Sequence, residues 1–400
     1  MRLGLVLTND WELFGDGSGD YFEIQHRPLY NLLDTIEAHG ARLTLMAELG
    51  QQWGHLGMAL DNPRSAEIAT AWESAVKDTV RRGSDVQLHV HTQWLDAKYV
   101  NGEWRLNLDQ ISIARLADDT IEETIRRGKD YLDSTLKPIE PDYECIAFRA
   151  GAYALQPSER AVRKLLEAGI LCDTSVTKGL VNHKLYDFRR AQYCCRPYFV
   201  HTDDITSENE NSEGLLEMPI YAYRAPDTAV IRKAIGDWQF YRLTLGAKTD
   251  REDERWFEEK RRVTLKRFPA KRRLKALDDN PLHDLRGSGI NTLRWGLSKI
   301  IGKRTIHLDY DGLPPDLFVR CLEKAFTSSD LADLVDTDVT VPVIALGHIK
   351  SMHNPDNIDR ILNLAKRRLG DRLVFMTLRE AVRYWREYIQ SGSLRGSESL

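Results

Sequence analysis

Short apolar runs and amphipathic helical patterns alternate from the beginning of the chain, and this alternation restricts the fold more than any other feature. Residues 3–8 (LGLVLT) have the length of a strand, residues 28–39 follow a helical pattern that Gly40 ends, and residues 41–48 (ARLTLMAE) form the next apolar run. A second helical pattern, at about residues 65–82, also ends at a glycine. Repeated units of this kind build a parallel sheet covered by helices. We therefore predict an α/β fold, a distorted (β/α) barrel of about seven strands.

One basic segment interrupts this alternation. Residues 248–304 contain about 17 Lys and Arg against about 9 Asp and Glu, a local excess of about +8, whereas the whole chain carries −4. We expect the following organisation: a barrel formed by residues 1–225 and 305–385, a basic and mainly helical insertion at 226–304, and a flexible tail at 386–400. The insertion is expected to be a solvated helical excursion, and the alternative is a surface that contacts an anionic partner.

Composition narrows the classes of function and compartment. The chain has 56 Lys and Arg against 60 Asp and Glu, which argues against a protein that coats nucleic acid, and we expect no nucleic-acid partner. The five cysteines lack paired metal-ligand spacing, which favours a reducing compartment over a disulfide framework. No signal peptide and no apolar run of ~18 residues is found in the sequence. We predict a cytoplasmic protein, with peripheral contact to the inner face of the membrane as an alternative.

Two histidines at the end of a predicted strand indicate a metal site. His89 and His91 stand two residues apart, so on a strand both side chains project from the same face. The simpler alternative is one histidine hydrogen-bonded in the core and the other solvated. Glu12, after the first strand, favours the metal interpretation, because two imidazoles, a carboxylate and a water are the usual composition of a hydrolytic zinc centre. We predict Zn²⁺ or another divalent metal on Glu12, His89 and His91.

Further strand ends carry the groups that a hydrolase needs besides its metal. Asp10 is placed to accept a proton from water, and Arg149 would hold that carboxylate ionised, unless the arginine is only a structural salt bridge. His348 follows a late strand and could protonate a departing amine. Asp173 has two interpretations, a catalytic group or the cap of a turn through Thr174 and Ser175.

At this point the motifs resemble a known family. The succession TNDWE, HVHTQW, FRAGAY, DTS, EMP and GHIKSMHN is similar to that of the NodB-type polysaccharide deacetylases, metal-dependent carbohydrate N-deacetylases with a distorted (β/α) barrel. The resemblance covers about residues 1–225 and 305–385. It implies the following roles: Asp10 as catalytic base, Glu12 as acidic metal ligand, His89 as first metal histidine, Arg149 as the arginine that orients the base, and His348 as general acid. It also implies that the FRAGAY loop donates a backbone N–H to the oxyanion.

The chain departs from the family pattern at the second metal ligand. The family spaces its two metal histidines four residues apart, and position 93 here is Gln93. Three interpretations follow: His91 replaces the missing ligand, Gln93 binds weakly through its oxygen, or the metal site is impaired. The family's adjacent Asp-Asp pair is here Asp10-Trp11-Glu12.

Three functions fit these observations. The leading one is a deacetylase that removes an N-acetyl group from an amino sugar of a polysaccharide or its precursor, with an anionic lipid-linked carrier or a membrane surface as partner of the insertion. The second is a non-catalytic carbohydrate-binding or scaffold protein that retains the fold, and the third is another metal hydrolase of the amidohydrolase type. Trp11, Trp94 and Tyr153 lie near strand ends and are predicted to stack on sugar rings.

Overall fold

The computed structural model describes residues 1–211, 213–225, 258–259, 262–263, 304–352 and 355–391. Its strands are, in chain order, β1 (Arg2–Trp11), β2 (Leu43–Glu48), β3 (Asp85–Val90), β4 (Lys98–Val100), β5 (Glu103–Arg105), β6 (Ala147–Ala150), β7 (Cys172–Asp173), β8 (Val181–Asn182), β9 (Tyr186–Asp187), β10 (Tyr198–His201), β11 (Asp204–Glu208), β12 (Leu216–Glu217), β13 (Ala222–Ala225), β14 (Arg304–His307), β15 (Thr340–His348) and β16 (Leu373–Phe375).

Helices follow most strands of the main sheet. They are α1 (Arg27–Glu37), α2 (Leu49–Met58), α3 (Pro63–Arg81), α4 (Asp118–Leu136), α5 (Ser158–Glu167), α6 (Pro315–Ala325), α7 (Asp356–Leu369) and α8 (Leu378–Gln390). As the sequence predicts, α1 and α3 end at glycines, and Gly40 and Gly83 adopt φ of +64° and +79°, where a side chain would be strained. Within the described ranges, no helix combines the length and the hydrophobicity that spanning a membrane requires.

The main sheet joins its strands in the order β11-β10-β12-β7-β6-β3-β2-β1-β15, with β16 paired to β1. The pairs from β12 to β15 are parallel, whereas β10 and β11 form an antiparallel hairpin at one edge. Beyond β12 the chain returns to the opposite edge, where Ile220 bridges Ile344 and Asp309 bridges Leu346 of β15. These bridges curl the sheet, in agreement with the predicted distorted barrel.

The number of strands differs from the prediction of about seven, because the main sheet contains ten. The hairpin of β10 and β11 is too short and too polar to stand out as an apolar run. Strand β1 also has more partners than its neighbours: β15 pairs along its whole length, and its other edge binds β16 at residues 3–5 and β2 at residues 7–11. One long strand thus accommodates two short ones side by side.

Strand β1 lies in the centre of the core and carries polar groups to one end of the barrel. Its residues from Leu3 to Trp11 are all buried. A parallel strand that helices cover on one face and the barrel interior fills on the other is expected to be apolar, as β1 is from Leu3 to Leu7. The carboxyl end of β1 therefore places Asp10 in an environment that is nearly free of solvent, where the side chain is 3% exposed.

The strand pair β13–β14 holds together the two ends of the predicted insertion, since Ala225 is the register partner of Arg304. Arg304, predicted as the last residue of the insertion, is the first residue of β14. Apart from this residue and residues 258–259 and 262–263, the segment 226–304 lies outside the described residues. Its basic, helical character therefore stays a prediction.

The tail predicted at 386–400 is wrong in its first five residues. Helix α8 begins with a reciprocal pair of hydrogen bonds between Thr377 and Glu380 and runs to Gln390. Beyond the buried Trp385, the ring of Tyr388 packs on the indole with a centroid distance of 5.4 Å, so the helix is anchored past the predicted boundary. Residues 392–400 lie outside the described residues.

Candidate functional site

Four parallel strands, β1, β3, β6 and β15, bring the predicted site residues to one end of the barrel. In the register of the sheet, Asp10 pairs with His348, and His89 pairs with Arg149. Register partners on parallel strands project from the same face and end at the same edge. The structure therefore brings together all six residues predicted for metal binding and catalysis: Asp10, Glu12, His89, His91, Arg149 and His348.

Asp10 is held by a fully buried arginine. The Nη1 of Arg149 donates to Asp10 Oδ1 at 2.5 Å, while its Nη2 donates to Thr8 Oγ1 at 3.0 Å and its Nε to the Thr174 carbonyl at 2.9 Å. Burial alone would raise the pKa of Asp10, but the Arg149 guanidinium, together with His89 and His348, outweighs burial and the pKa is lowered. Asp10 is therefore ionised at neutral pH and fixed in orientation.

His89 presents an unpartnered nitrogen to the centre of the site. Its Nδ1 lies 2.8 Å from the Arg149 carbonyl oxygen, which can only accept, so Nδ1 carries the proton of the neutral ring. Nε2 has no hydrogen-bond partner in the described part of the chain and lies 3.9 Å from Glu12 Oε2. Burial lowers the pKa of His89 to about 4, which leaves a neutral imidazole with a free lone pair.

His91, and not Gln93, lies against the acidic residue. The Nε2 of His91 is 2.6 Å from Glu12 Oε2, and the Gln93 amide donates to the opposite ring nitrogen at 2.9 Å. Burial favours the neutral ring, but the Glu12 carboxylate outweighs it and raises the pKa of His91. Of the three interpretations of Gln93, this geometry favours replacement of the missing ligand by His91.

Lys350 is a site residue that the sequence reasoning missed. Its ammonium pairs with Glu12 Oε1, on the side of the carboxylate away from His91. Burial alone would raise the pKa of Glu12, but His91 and Lys350 hold it well below its usual range. The signal was present in the sequence, because Lys350 stands two residues after His348 in the motif GHIKSMH.

Glu48, the last residue of β2, is a second residue that was missed. It is fully buried, and its two oxygens accept from the backbone N–H groups of Gly50 at 2.7 Å and His91 at 2.8 Å. Burial raises the pKa of Glu48 to about 7. The run ARLTLMAE ends in this glutamate, so the rule that strand ends carry chemistry would have found it.

His348 lies across the mouth from His89 and His91. Its Nε2 is 3.5 Å from Asp10 Oδ2 and 3.4 Å from the Tyr153 hydroxyl, and a quarter of its side chain is exposed. Burial lowers its pKa. Tyr153 and its neighbour Ala152 adopt φ of +58° and +53°, a backbone conformation that carries strain in residues with a side chain.

The aromatic predictions need correction for Trp11 and Trp94. Asp10 faces the site, so Trp11, the next residue of β1, points to the opposite face of the sheet. Trp11 is fully buried on that face, and its indole N–H donates to the Gln25 carbonyl at 3.1 Å. Trp94 is 5% exposed and packs edge-on against Trp104. Neither ring is available to a sugar, whereas Tyr153 does reach the site through its hydroxyl.

Asp173 acts as the cap of a turn. Its carboxylate accepts from the Ser175 backbone N–H at 2.8 Å and from the Ser175 hydroxyl at 2.9 Å. It lies beside a second buried acid, Glu217, and burial raises the pKa of both groups, most strongly that of Glu217. Of the two interpretations of Asp173, the geometry favours the structural one.

The donor set fits a divalent metal. One potential ligand atom from each of Glu12, Glu48, His89 and His91 lies within 4.8 Å of the others, and a second, overlapping group consists of Asp10, Glu12 and His348. Imidazole nitrogens and carboxylate oxygens are the ligands of zinc and other first-row metals. The buried lone pair of His89 Nε2 has no partner in the described residues, as expected for a group that a metal would satisfy.

Comparison with known proteins gives similarity in structure only. No family model and no curated protein matches the chain. Among solved structures, a protein of Mycobacterium smegmatis assigned as a polysaccharide deacetylase aligns with 98% of this chain and 91% of its own, at 10% identity and a TM-score of 0.44. An allantoinase aligns with 96% of this chain and 91% of its own, at 10% identity and a TM-score of 0.43. A branching enzyme of the archaeon Pyrococcus horikoshii aligns with 100% of this chain and 72% of its own, at 11% identity and a TM-score of 0.47.

Proposed function

We propose that the chain is a divergent NodB-type polysaccharide deacetylase, a metal-dependent hydrolase that removes an N-acetyl group from an amino sugar of a polysaccharide or its precursor. One observation carries this proposal. A buried, neutral His89 aims an unpartnered Nε2 at Glu12, next to a second histidine and beside an ionised Asp10 that Arg149 holds. A structural cluster has no need of an unsatisfied imidazole, whereas a metal centre requires one.

Glu12, His89 and His91 would hold the metal, Zn²⁺ or another divalent ion. When bound, such an ion polarises an amide carbonyl and acidifies a water molecule. The Arg149 carbonyl fixes the ring of His89 through Nδ1, which is the outer contact that metal-binding histidines usually make. Arg149 therefore serves both the metal ligand, through its carbonyl, and the base, through its guanidinium.

The remaining groups divide the proton transfers of amide hydrolysis between them. Asp10 is ionised, so it can accept a proton from the attacking water. His348 lies 3.5 Å from Asp10 and is partly exposed at the mouth, so it can take up the proton that Asp10 accepts from water and give it to the departing amine. Tyr153 contacts the same His348 nitrogen and orients the ring.

The test combines metal content with acetate release. The full chain is loaded with Zn²⁺, Mn²⁺ or Co²⁺, its bound metal is measured, and acetate is assayed after incubation with N-acetylated amino-sugar oligomers. We expect the wild-type chain to bind one metal ion and to release acetate. His89→Ala should lose both the metal and the activity, whereas Asp10→Asn should keep the metal and lose the activity. His201→Ala, on the exposed end of β10, is the control. A folded wild-type chain that binds no metal would exclude the proposal.

A second candidate is a non-catalytic carbohydrate-binding or scaffold protein that retains the fold. Both oxygens of Glu12 already have partners, Oε1 with Lys350 and Oε2 with His91, so the carboxylate is neutralised without a metal. The same measurements separate the two candidates. Sugar binding that occurs without metal, without acetate release and without any effect of Asp10→Asn would favour the scaffold.

The predicted cytoplasmic location and the predicted anionic partner form a separate proposal. The basic segment 248–304 is proposed to contact an anionic lipid-linked carrier or the inner face of the membrane. Sedimentation of the full chain with vesicles that contain a third phosphatidylglycerol, against vesicles of phosphatidylcholine alone, tests it. Equal recovery with both vesicle types, at low and moderate salt, would argue against an anionic partner.

A further inference from the structure

We infer that Glu48 is a fourth protein ligand of the metal centre, which would make it a site of two histidines and two glutamates. The inference rests on the proposed function and adds a ligand that neither the HxH pattern nor the family resemblance assigns. Glu48 is fully buried, and one of its oxygens lies within 4.8 Å of the ligand atoms of Glu12, His89 and His91. Glu48 would act in addition to His91, which replaces the histidine missing at position 93.

The register of the sheet explains why Glu48 reaches the site. Glu48 is the direct partner of His89 across the β2–β3 pair, and Ala47 is the partner of Trp11 across the β1–β2 pair. Register partners project to the same side, so Glu12, which follows Trp11, lies in line with Glu48 and His89. Three neighbouring strand ends thus present two carboxylates and an imidazole in one row.

A purely structural role accounts poorly for a glutamate at this position. Glu48 caps α2 through the Gly50 N–H, but helix caps are provided by short side chains such as Ser, Thr, Asp or Asn. A longer, ionisable side chain without exposure carries a large desolvation penalty unless a cation compensates it. In the described part of the chain, no Lys or Arg side chain forms an ion pair with Glu48. A divalent cation between Glu48 and Glu12 supplies that compensation.

The backbone around Glu48 leaves room for this side chain. A Cβ atom added to Gly50 would lie 2.7 Å from Glu48 Oε1 and 2.7 Å from the Trp94 Cβ, so only glycine permits this placement of the carboxylate. The two N–H contacts use one lone pair of each oxygen and leave the others available for a metal. The carboxylate is therefore oriented before any ion binds.

Titration of the metal-free protein with Co²⁺, followed by visible absorption, tests the inference. We expect Glu48→Gln to lower the Co²⁺ association constant at least tenfold and to change the absorption band, because a carboxylate leaves the coordination sphere. Glu48→Asp keeps the charge and the cap but shortens the reach, so we expect a smaller loss. Glu217→Gln is the matched control, because Glu217 is also buried at a strand end and accepts from a backbone N–H, that of Val176 at 3.1 Å. This variant should change neither the Co²⁺ association constant nor the absorption band.

The outcomes separate this inference from the proposed function. If the wild-type chain binds Co²⁺ and Glu48→Gln binds it with the same affinity and the same spectrum, Glu48 is only a cap and the inference is wrong while the metal centre stands. If the wild-type chain binds no Co²⁺, the metal centre itself fails and Glu48 fails with it. Denaturant unfolding of each variant establishes that a loss of binding reflects the site and not the fold.

Discussion

Replacement of Arg149 by methionine should be one of the most damaging single changes in this protein. Met keeps much of the length of the side chain but leaves the Asp10 carboxylate buried without its cation, at a cost of about 3–5 kcal/mol. It also removes the donor to the Thr174 carbonyl, and an unsatisfied buried acceptor costs about 1–3 kcal/mol. Together these losses amount to roughly 5 kcal/mol, a large share of the net stability of a folded protein, which is about 5–15 kcal/mol.

Urea unfolding at two pH values measures this loss and its cause. In the wild type the pKa of Asp10 is lowered, so the ion pair stabilises the fold above the unfolded pKa and less in acid. In Arg149→Met, burial has lost its strongest opponent, and His89 and His348 alone oppose it. We expect the pKa of Asp10 to rise above its unfolded value, so the penalty is present at pH 7.5 and shrinks toward pH 5. The double variant Arg149→Met/Asp10→Asn should lose about 2 kcal/mol less free energy of unfolding than the sum of the losses of the two single variants.

The matched control is Arg160→Met, which removes a half-exposed ion pair with Asp118 and should cost less than about 1 kcal/mol. Three results would refute the reasoning: a loss for Arg149→Met as small as that of the control, a loss that does not change with pH, or strictly additive losses in the double variant. Each would mean that Arg149 does not stabilise the Asp10 carboxylate.

Three further predictions concern stability and activity. Burial lowers the pKa of His55 to about 4, so between pH 6.5 and pH 4 this histidine is protonated in the unfolded chain but neutral in the folded chain. Wild type therefore loses stability as the pH falls, and between pH 7.5 and pH 5 the free energy of unfolding of His55→Phe should fall by about 2 kcal/mol less than that of wild type in urea unfolding. Gly151→Ala should lower the melting temperature, because the new Cβ would lie 2.6 Å from the Val90 carbonyl oxygen. The control Gly57→Ala has free space in α2 and should be neutral or slightly stabilising, and equal effects of the two changes would refute this prediction. His348→Gln should lower kcat for acetate release by about 10²–10⁴-fold without changing the bound metal, and an unchanged kcat would remove His348 from the acid role.

The alternation of apolar runs predicted the parts of the fold that depend on periodicity. Strand β1, helices α1 and α3 and the glycines that end them lie where the pattern places them, because burial on both faces of a parallel strand leaves a continuous apolar run. The hairpin of β10 and β11 escaped prediction, since its pairing depends on contacts with β12 and not on its own hydrophobicity.

The site was predictable where a single strand end sets the geometry and unpredictable where register between strands sets it. Asp10, His89 and His348 each follow an apolar run, so their convergence follows from the parallel sheet alone. The end of the run ARLTLMAE marks Glu48 as a candidate, but its position beside His89 depends on the register between β2 and β3, which the sequence pattern does not encode. Trp11 was assigned to the substrate by its closeness to Asp10 in sequence, although alternation along a strand places neighbours on opposite faces.

The β13–β14 pair has a consequence for how this protein can change over evolutionary time. Because Ala225 and Arg304 are register partners, their Cα atoms are about 5 Å apart, the distance that an ordinary hairpin turn spans. The chain therefore leaves and re-enters the barrel at neighbouring positions, but the insertion also contacts the barrel elsewhere: Glu259 accepts from the Asp20 backbone N–H at 2.9 Å, and Val263 is buried against Leu13, Phe14 and Ile24. Related chains could carry segments of other lengths between β13 and β14, provided that the loop after β1 keeps an apolar packing partner in place of Val263.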